Sequence, residues 1–198
     1  NWTYNNLKVT DESQLPDEDI KENNNPQDNF SRRELKKFVK ENFIKQKIYD
    51  DDGNVTGEQD NYVLTFQGSV PRPKSLDITA PPHTDEEKKI AEDNLERYGY
   101  RDWFDWNRGN WGCKWDADSH HLEDDSEYGE VNVNFETPWC PPLEWLQKVS
   151  ARYPSLLFSM NVEEESNAFM GNPIARGGEL CENMIDINYP RKRRTNEK

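Results

Sequence analysis

Alternating and helical patterns of hydrophobic positions are clearest in the second half of the chain. Residues 131–135 read Val-Asn-Val-Asn-Phe, an alternation that predicts a strand with one buried face. Two prolines precede residues 143–153, whose apolar positions recur at helical spacing: Leu143, Leu146, Val149 and Tyr153. Residues 156–162 form the next predicted strand. Together these segments predict a strand–helix–strand unit.

Helix-start signals mark two places in the more polar first half. The run Ser-Arg-Arg-Glu at 31–34 is a capping box, and the helical spacing after it predicts a helix there. A second capping box, Thr-Asp-Glu-Glu at 84–87, predicts a helix over residues 85–98. Residues 2–9 have strand composition. A second strand–helix unit is therefore expected near the start of the chain.

Three polar or charged stretches are predicted to lie outside the main elements. Residues 11–30 form a polar loop insertion, residues 74–108 a helical insertion, and residues 191–198 a flexible basic tail. Residues 111–117 and 131–135 are predicted to pair as a long hairpin. The acidic stretch between them would then be the hairpin tip.

The order of the predicted elements indicates a fold class. Two strand–helix units that share one sheet predict an α+β, ferredoxin-like split βαβ sandwich. Its sheet would be mainly antiparallel, with the helices on one face, an inserted helix and long acidic loops. We expect residues 1–198 to form a single domain of this kind.

Composition and charge narrow the functional classes. Hydrophobic residues make up 32% of the 198 residues, aromatic residues 12%, and the net charge is −14. This acidity disfavours general nucleic-acid binding and suits either high solubility or a partner with a basic surface. The three scattered cysteines suggest reduced thiols in a cytosol, and no membrane span or signal peptide is expected.

One combined motif resembles a known family. It consists of Trp111-Gly112, Lys114-Trp115-Asp116-Ala117, Phe135, Thr137, Trp139, Pro141-Pro142, a helix, Tyr153-Pro154, Phe158, Glu164 or Glu165, Phe169 and Gly171. Over about residues 111–178, the chain is similar to the YubB-like proteins of phages and plasmids, which have a C-terminal ferredoxin-like domain. Cys113 departs from the pattern, because a small hydroxyl residue is expected there.

The resemblance implies a mobile-element protein that acts in the cytoplasm of a bacterial host. It implies no defined catalytic activity. "Ferredoxin-like" describes topology here, because three scattered cysteines do not provide the four thiolates of an iron–sulfur cluster. We therefore expect no cofactor.

The acidic stretch after Trp115 offers a candidate metal site. Asp116, Asp118, His120 and His121 alternate carboxylates with imidazoles, a pattern that can hold a divalent ion. The alternative is a solvated acidic surface, which the neighbouring carboxylates favour. Those neighbours are Glu123, Asp124, Asp125 and Glu127.

The tryptophans also allow more than one interpretation. Trp111, Trp115 and Trp139 are expected to close a core beneath the inserted helix. If they are exposed instead, they would mark a protein-binding surface or stack on nucleic-acid bases.

The first functional hypothesis is a non-enzymatic phage or mobile-element protein that binds a host macromolecule through its acidic surface. It would inhibit a host defence system, in one version by imitating nucleic-acid phosphates. The predicted contact residues are Asp116, Asp118, Glu123, Asp124, Asp125, Glu127, Trp111 and Trp115. The alternatives are a divalent-metal-dependent hydrolase using Asp116, Asp118, His120 and His121, and single-stranded nucleic-acid binding through exposed tryptophans.

Overall fold

The computed structural model describes residues 1–11 and 26–187, except for the side chains of residues 26–31, 49 and 119–121. In chain order its helices and strands are β1 (Trp2–Asp11), α1 (Pro26–Asn42), β2 (Phe43–Tyr49), β3 (Val55–Leu64), α2 (Asp85–Tyr98), α3 (Trp103–Asn110), β4 (Asp118–Asp125), β5 (Glu130–Pro138), α4 (Leu143–Arg152), β6 (Leu156–Glu164), β7 (Phe169–Gly171), β8 (Ile174–Arg176), β9 (Glu179–Cys181) and β10 (Met184–Asp186).

Strand β1 is the centre of an antiparallel sheet. It pairs with β5 on one side and β6 on the other, and β4 pairs with the far side of β5. The order β6-β1-β5-β4, with α1 after β1 and α4 after β5, is the split βαβ arrangement of a ferredoxin-like fold. The predicted α+β fold class is confirmed.

Two additions enlarge this framework. The chain between α1 and β4 forms the separate hairpin β2-β3 and the helices α2 and α3. Beyond β6, the short strands β7 and β10 extend the sheet. Strand β8 pairs with another part of β6, and β9 pairs with β8. No helix among the described residues is long and apolar enough to cross a membrane.

The core lies on one face of the sheet. Leu7 and Val9 of β1 are fully buried there, because alternate residues of a strand face the same side of a sheet. Their neighbours on β5, β6 and α4 are also buried: Val131, Val133, Phe135, Phe158, Met160, Trp145, Leu146 and Val149. Phe66, from the turn after β3, stacks 4.6 Å from Trp145 and joins the inserted segment to this core.

Helix α1 begins at Pro26, five residues before the predicted start. Its Glu34 accepts a hydrogen bond from the Ser155 backbone N–H at 2.9 Å instead of capping the helix. The predicted 11–30 loop differs from the structure at both ends, because β1 includes Asp11 and residues 26–30 are helical. Residues 12–25 and 188–198, and with them the predicted basic tail, lie outside the described residues.

Helix α2 has the predicted start. The Thr84 hydroxyl accepts from the Glu87 N–H at 3.1 Å, and the Glu87 carboxylate accepts from the Thr84 N–H at 3.1 Å. Gly99 ends the helix with φ of +78°, a conformation that glycine adopts without strain.

The predicted strand at 111–117 is wrong. Residues 111–117 form a turn after α3, and the strand that pairs with β5 is the following acidic segment, β4. Gly112 lies in this turn with φ of +86°, and a side chain there would meet the Glu144 carboxylate 2.0 Å from its Cβ. The acidic stretch is thus an outer strand of the main sheet rather than a loose hairpin tip.

Candidate functional site

A cleft of about 570 Å³ lies within the inserted segment between β3 and β4. Its lining includes Trp103, Trp111, Trp115, Arg72 and Asp116. Helix α3 supplies Trp103, the turn before β4 supplies Trp111, Trp115 and Asp116, and the segment before α2 supplies Arg72. The structure therefore brings three of the predicted contact residues together at one cleft.

Trp111 forms the buried wall of this cleft. Its ring packs 5.7 Å from Phe66 and 5.5 Å from Trp106, and only 1% of the residue is exposed. Its indole N–H donates to the Val70 carbonyl at 3.0 Å, and the Arg72 guanidinium lies 5.6 Å from its ring. The prediction that Trp111 closes a core is confirmed, so its role is primarily structural.

Trp115 and Trp139 are exposed, with 46% and 53% of their surfaces accessible. The prediction that these two rings close the core is wrong. The Lys114 ammonium lies 4.4 Å from the Trp115 ring centroid and 5.1 Å from that of Trp139. The two indoles therefore share one cation of the same chain. Trp2 lies beside them, 6.2 Å from Trp115.

The backbone explains why Trp139 reaches the surface. Its φ is +70°, a left-handed conformation that is rare for a bulky residue. The Trp139 N–H donates to the Asn1 carbonyl at 3.1 Å, and the Thr137 hydroxyl donates to the Cys140 carbonyl at 2.9 Å. Such strain is concentrated at functional sites, which makes Trp139 a candidate that sequence reasoning assigned to the core.

Asp116 is held by donors of the protein. Its carboxylate accepts from the Thr65 hydroxyl at 2.7 Å, the Phe66 N–H at 2.6 Å and the Ala117 N–H at 2.9 Å. Burial raises the pKa of this carboxyl, while these hydrogen bonds oppose the shift. Asp116 therefore anchors the turn before β4 to the segment after β3.

The observed geometry does not favour the candidate metal site. Both Asp116 oxygens are engaged by the protein, whereas Asp118 is exposed on β4. The side chains of His120 and His121 lie outside the described set. Among the side chains that are described, no three His, Cys, Asp or Glu residues are grouped to hold a metal.

The acidic residues of β4 and its following turn form the second part of the site. Glu123, Asp124, Asp125 and Glu127 are exposed. Asp124 accepts from the Ser126 N–H at 3.0 Å, and Glu127 pairs with Lys36 of α1 at 2.8 Å. A strand of this length spans about 25 Å, so these carboxylates lie at the opposite end of β4 from Trp115. The predicted residues therefore form two groups, one around the start of β4 and one around its end.

The cysteines near the cleft do not resemble nucleophiles. Burial raises the pKa of the Cys113 thiol, and it also raises the pKa of the Cys140 thiol. The Cys140 thiol donates to the Gly112 carbonyl at 2.9 Å. Since the thiolate is the reactive form, these environments oppose covalent catalysis.

Sequence reasoning did not select three surface residues as predicted contact residues. They are Lys114, Trp139 and, on the sheet, Tyr4. The alternation of β1 contained a signal for Tyr4, because Leu7 and Val9 fix which positions face the core. Nothing in the sequence indicates a positive φ at Trp139.

Comparison with known proteins finds a similarity in the second half of the chain. Residues 110–196 match the model of the ferredoxin-like domain in Api92-like protein. The chain also aligns with the crystal structure of a protein api92 from Yersinia pseudotuberculosis, at 9% sequence identity and a TM-score of 0.41. That alignment covers 93% of this chain and 97% of the other. No curated protein matches the sequence.

The Api92-like match covers the whole of the segment 111–178 that carries the resemblance to YubB-like proteins. It supports the ferredoxin-like topology that the strand order shows. The name YubB-like stays a prediction.

Proposed function

We propose that this protein is a non-enzymatic binding protein that contacts a basic surface of a host macromolecule. The contact surface consists of the exposed pair Trp115 and Trp139 and the carboxylates of β4 and its following turn. The exposure of the two indoles around Lys114 is the observation that carries the proposal. Exposed aromatic rings in an otherwise polar surface are typical of contact sites.

The two indoles already hold a cation, the Lys114 ammonium. A partner lysine or arginine could therefore take the same position on the rings, with Lys114 moving into water. Aromatic residues supply most of the binding energy at many interfaces, because they bury a large area with few rotatable bonds. This end of β4 would anchor the partner.

The carboxylates at the other end would orient the partner. Residues 113–136 contain eight acidic residues and one basic residue. A concentrated negative field accelerates encounter with a positive surface and disfavours partners that are negative. Rows of carboxylates also suit the arginines and lysines with which an enzyme grips phosphate, so a host nucleic-acid-binding protein is the favoured partner.

The resemblance to the YubB-like proteins of phages and plasmids supports a mobile-element origin. A protein of that origin acts in the cytoplasm of its bacterial host, and an acidic binding protein suits inhibition of a defence system there. Nucleic-acid mimicry is one means by which it could act.

A capture experiment with charge-matched variants tests the proposal. The full chain is immobilised, bacterial lysate is applied, and retained proteins are quantified by mass spectrometry at low and moderate salt. The test variant combines Glu123→Gln, Asp125→Asn and Glu127→Gln. We expect it to retain much less of the partner than the original chain, because it lacks three of the exposed acidic charges.

The matched control combines Glu86→Gln, Asp93→Asn and Glu96→Gln on the exposed face of α2. It changes the net charge by the same amount and should retain the partner at close to the original level. Equal loss in both variants would show attraction to net charge alone. No specific capture by the original chain would contradict the proposal.

Single-stranded nucleic-acid binding is a second candidate, because Trp115 and Trp139 are exposed and could stack on bases. The surrounding acidity opposes it. Titration with an oligonucleotide at low salt, read by tryptophan fluorescence, distinguishes the two. Quenching that is lost in Trp115→Ala would support this candidate, and unchanged fluorescence would exclude stacking on these rings.

A further inference from the structure

The face of the sheet opposite the core carries a cleft of about 520 Å³. Along β1 the residues that alternate with buried Leu7 and Val9 are Tyr4, Asn6 and Lys8. The cleft shares no lining residue with the cleft that Trp103, Trp111 and Trp115 line. Its volume lies in the usual range of about 300–1,000 Å³ for ligand sites.

Tyr4 lies in the cleft between two carboxylates. Its register partner is Glu136 on β5 and Glu163 on β6. Directly opposed residues on antiparallel strands have their Cβ atoms about 4.5–5.5 Å apart, so both glutamate side chains leave the sheet beside Tyr4. The ring is 46% exposed and can accept a ligand on its surface.

A row of amides lies next to Tyr4. Asn6 is opposite Asn134 on β5 and Asn161 on β6. The Asn6 side-chain amide donates to the side-chain amide oxygen of Asn134 at 2.7 Å, and the Asn172 side-chain amide donates to that of Asn161. These contacts fix the amide orientations, so the cleft has an ordered polar floor before any ligand arrives.

The charge in the cleft has one sign. Glu136 and Glu163 are the charged residues among those that line it. Lys8 is the next residue along this face of β1, and its ammonium is paired with Glu130 at 2.6 Å. The apolar part of the lining comes from Met170 and Ile185, which are 40% and 57% exposed. The cleft therefore suits a cation with an apolar stem.

We propose that this cleft binds an arginine side chain of a partner polypeptide. A guanidinium is planar and has five N–H donors and no acceptor. It can stack on the Tyr4 ring while it donates to the carboxylates of Glu136 and Glu163 and to amide oxygens. Its methylene stem would pack against Met170. Lysine offers a compact charge with three donors and fits this planar arrangement less well.

The experiment is an NMR titration of the full chain with three short peptides. They are identical except for one central residue, which is arginine, citrulline or lysine. Citrulline keeps the planar shape and removes the charge. We expect the arginine peptide to shift the Tyr4 ring signals and to bind roughly tenfold more tightly than the citrulline peptide. Lysine should fall between them.

Two double variants, one inside the cleft and one outside it, test whether the cleft glutamates bind the arginine. Glu136→Gln with Glu163→Gln should weaken arginine-peptide binding roughly tenfold. The control, Glu179→Gln with Glu182→Gln, removes two exposed carboxylates outside the cleft and should leave binding unchanged. Equal loss in both pairs, or equal binding of the citrulline peptide, would overturn the proposal.

The residues whose NMR signals shift show whether the peptide binds in this cleft or in the cleft lined by Trp103, Trp111 and Trp115. Shifts at Lys114 and Trp115 with none at Tyr4 would overturn the assignment to the sheet face while leaving the binding function possible. A further variant, Arg191→Gln with Arg193→Gln and Arg194→Gln, neutralises bases that lie outside the described residues. Markedly tighter peptide binding by that variant would identify the chain's own tail as the occupant and would overturn the assignment to a partner.

Discussion

Trp111 and Trp145 differ from Trp115 and Trp139 in what surrounds their rings. The first two are 1% and 0% exposed and pack on other aromatic rings, above all Phe66. The second two are about half exposed and share one lysine. The same residue type is therefore buried in one pair and exposed in the other, and only the exposed pair is available for the proposed contact surface.

The largest effect that should separate the two groups is on stability. Trp145→Ala removes a fully buried ring that stacks 4.6 Å from Phe66. We expect the free energy of unfolding to fall by about 3–5 kcal/mol, because the substitution leaves a cavity. Urea denaturation measures it. Trp139→Ala is the control, and equal losses in the two variants would remove the distinction.

A smaller loss of stability should follow from removing the hydroxyl of Tyr153, whose ring is buried in the core. The Tyr153 hydroxyl donates to the Glu41 carboxylate at 2.6 Å and accepts from the Asn42 amide at 3.1 Å. Tyr153→Phe should lower the free energy of unfolding by about 1–3 kcal/mol, since the buried Asn42 amide and the partly exposed Glu41 carboxylate each lose a partner. Tyr98→Phe, at an exposed ring of α2, should change it negligibly. A neutral Tyr153→Phe variant would show that this network adds nothing.

Two carboxyl groups, Glu41 beside Tyr153 and Asp116 next to Trp115, should change the free energy of unfolding in opposite directions as the pH falls. The hydrogen bond from Tyr153, with Arg152 nearby, lowers the pKa of Glu41, so its contribution is complete above the ordinary carboxyl pKa and is lost as pH falls through the lowered value. Burial raises the pKa of Asp116, so the folded state binds a proton before the unfolded state does. Acidification through that window therefore removes a cost and adds stability.

Carboxyl NMR titrations and unfolding measurements at several pH values check this pair. Glu41→Gln should reduce the loss of stability on acidification. Asp116→Asn should make the loss steeper, because the opposing contribution is gone. An Asp116 carboxyl that titrates below the ordinary value would contradict the second half of the prediction.

The smallest stability effect is expected at the exposed pair. Trp115→Ala should lower the free energy of unfolding by less than about 1 kcal/mol, since an exposed cation–π contact contributes about that much or less. The same urea denaturation measures it. A loss comparable to that of Trp145→Ala would place Trp115 in the core and would remove the anchor of the proposed contact surface.

The sequence predicts the topology better than the site. Alternation in residues 131–135, helical spacing in 143–153 and the Thr84 capping box depend on local periodicity, and the structure confirms them. The strand at 111–117 was wrong, because Gly112 bends that segment and the polar β4 pairs with β5 in its place. Polar outer strands lack the apolar alternation on which strand prediction depends.

Site residues were missed where long-range contacts decide exposure. Asp116 looked like a ligand for a metal or partner, yet Thr65 and Phe66, some 50 residues earlier, supply its donors. Trp139 looked like a core residue, but its left-handed backbone carries it to the surface. Neither fact has a local signature, because each depends on which distant segments meet.

Hydrogen exchange of the full chain with and without its captured partner tests the contact surface most directly. The account predicts slower exchange in the partner complex over residues 111–127, with little change in α2. It also predicts that Trp115→Ala abolishes the slowing while the fold is retained. Slowing confined to α2 or to the hairpin β2-β3, with residues 111–127 unchanged, would contradict the account.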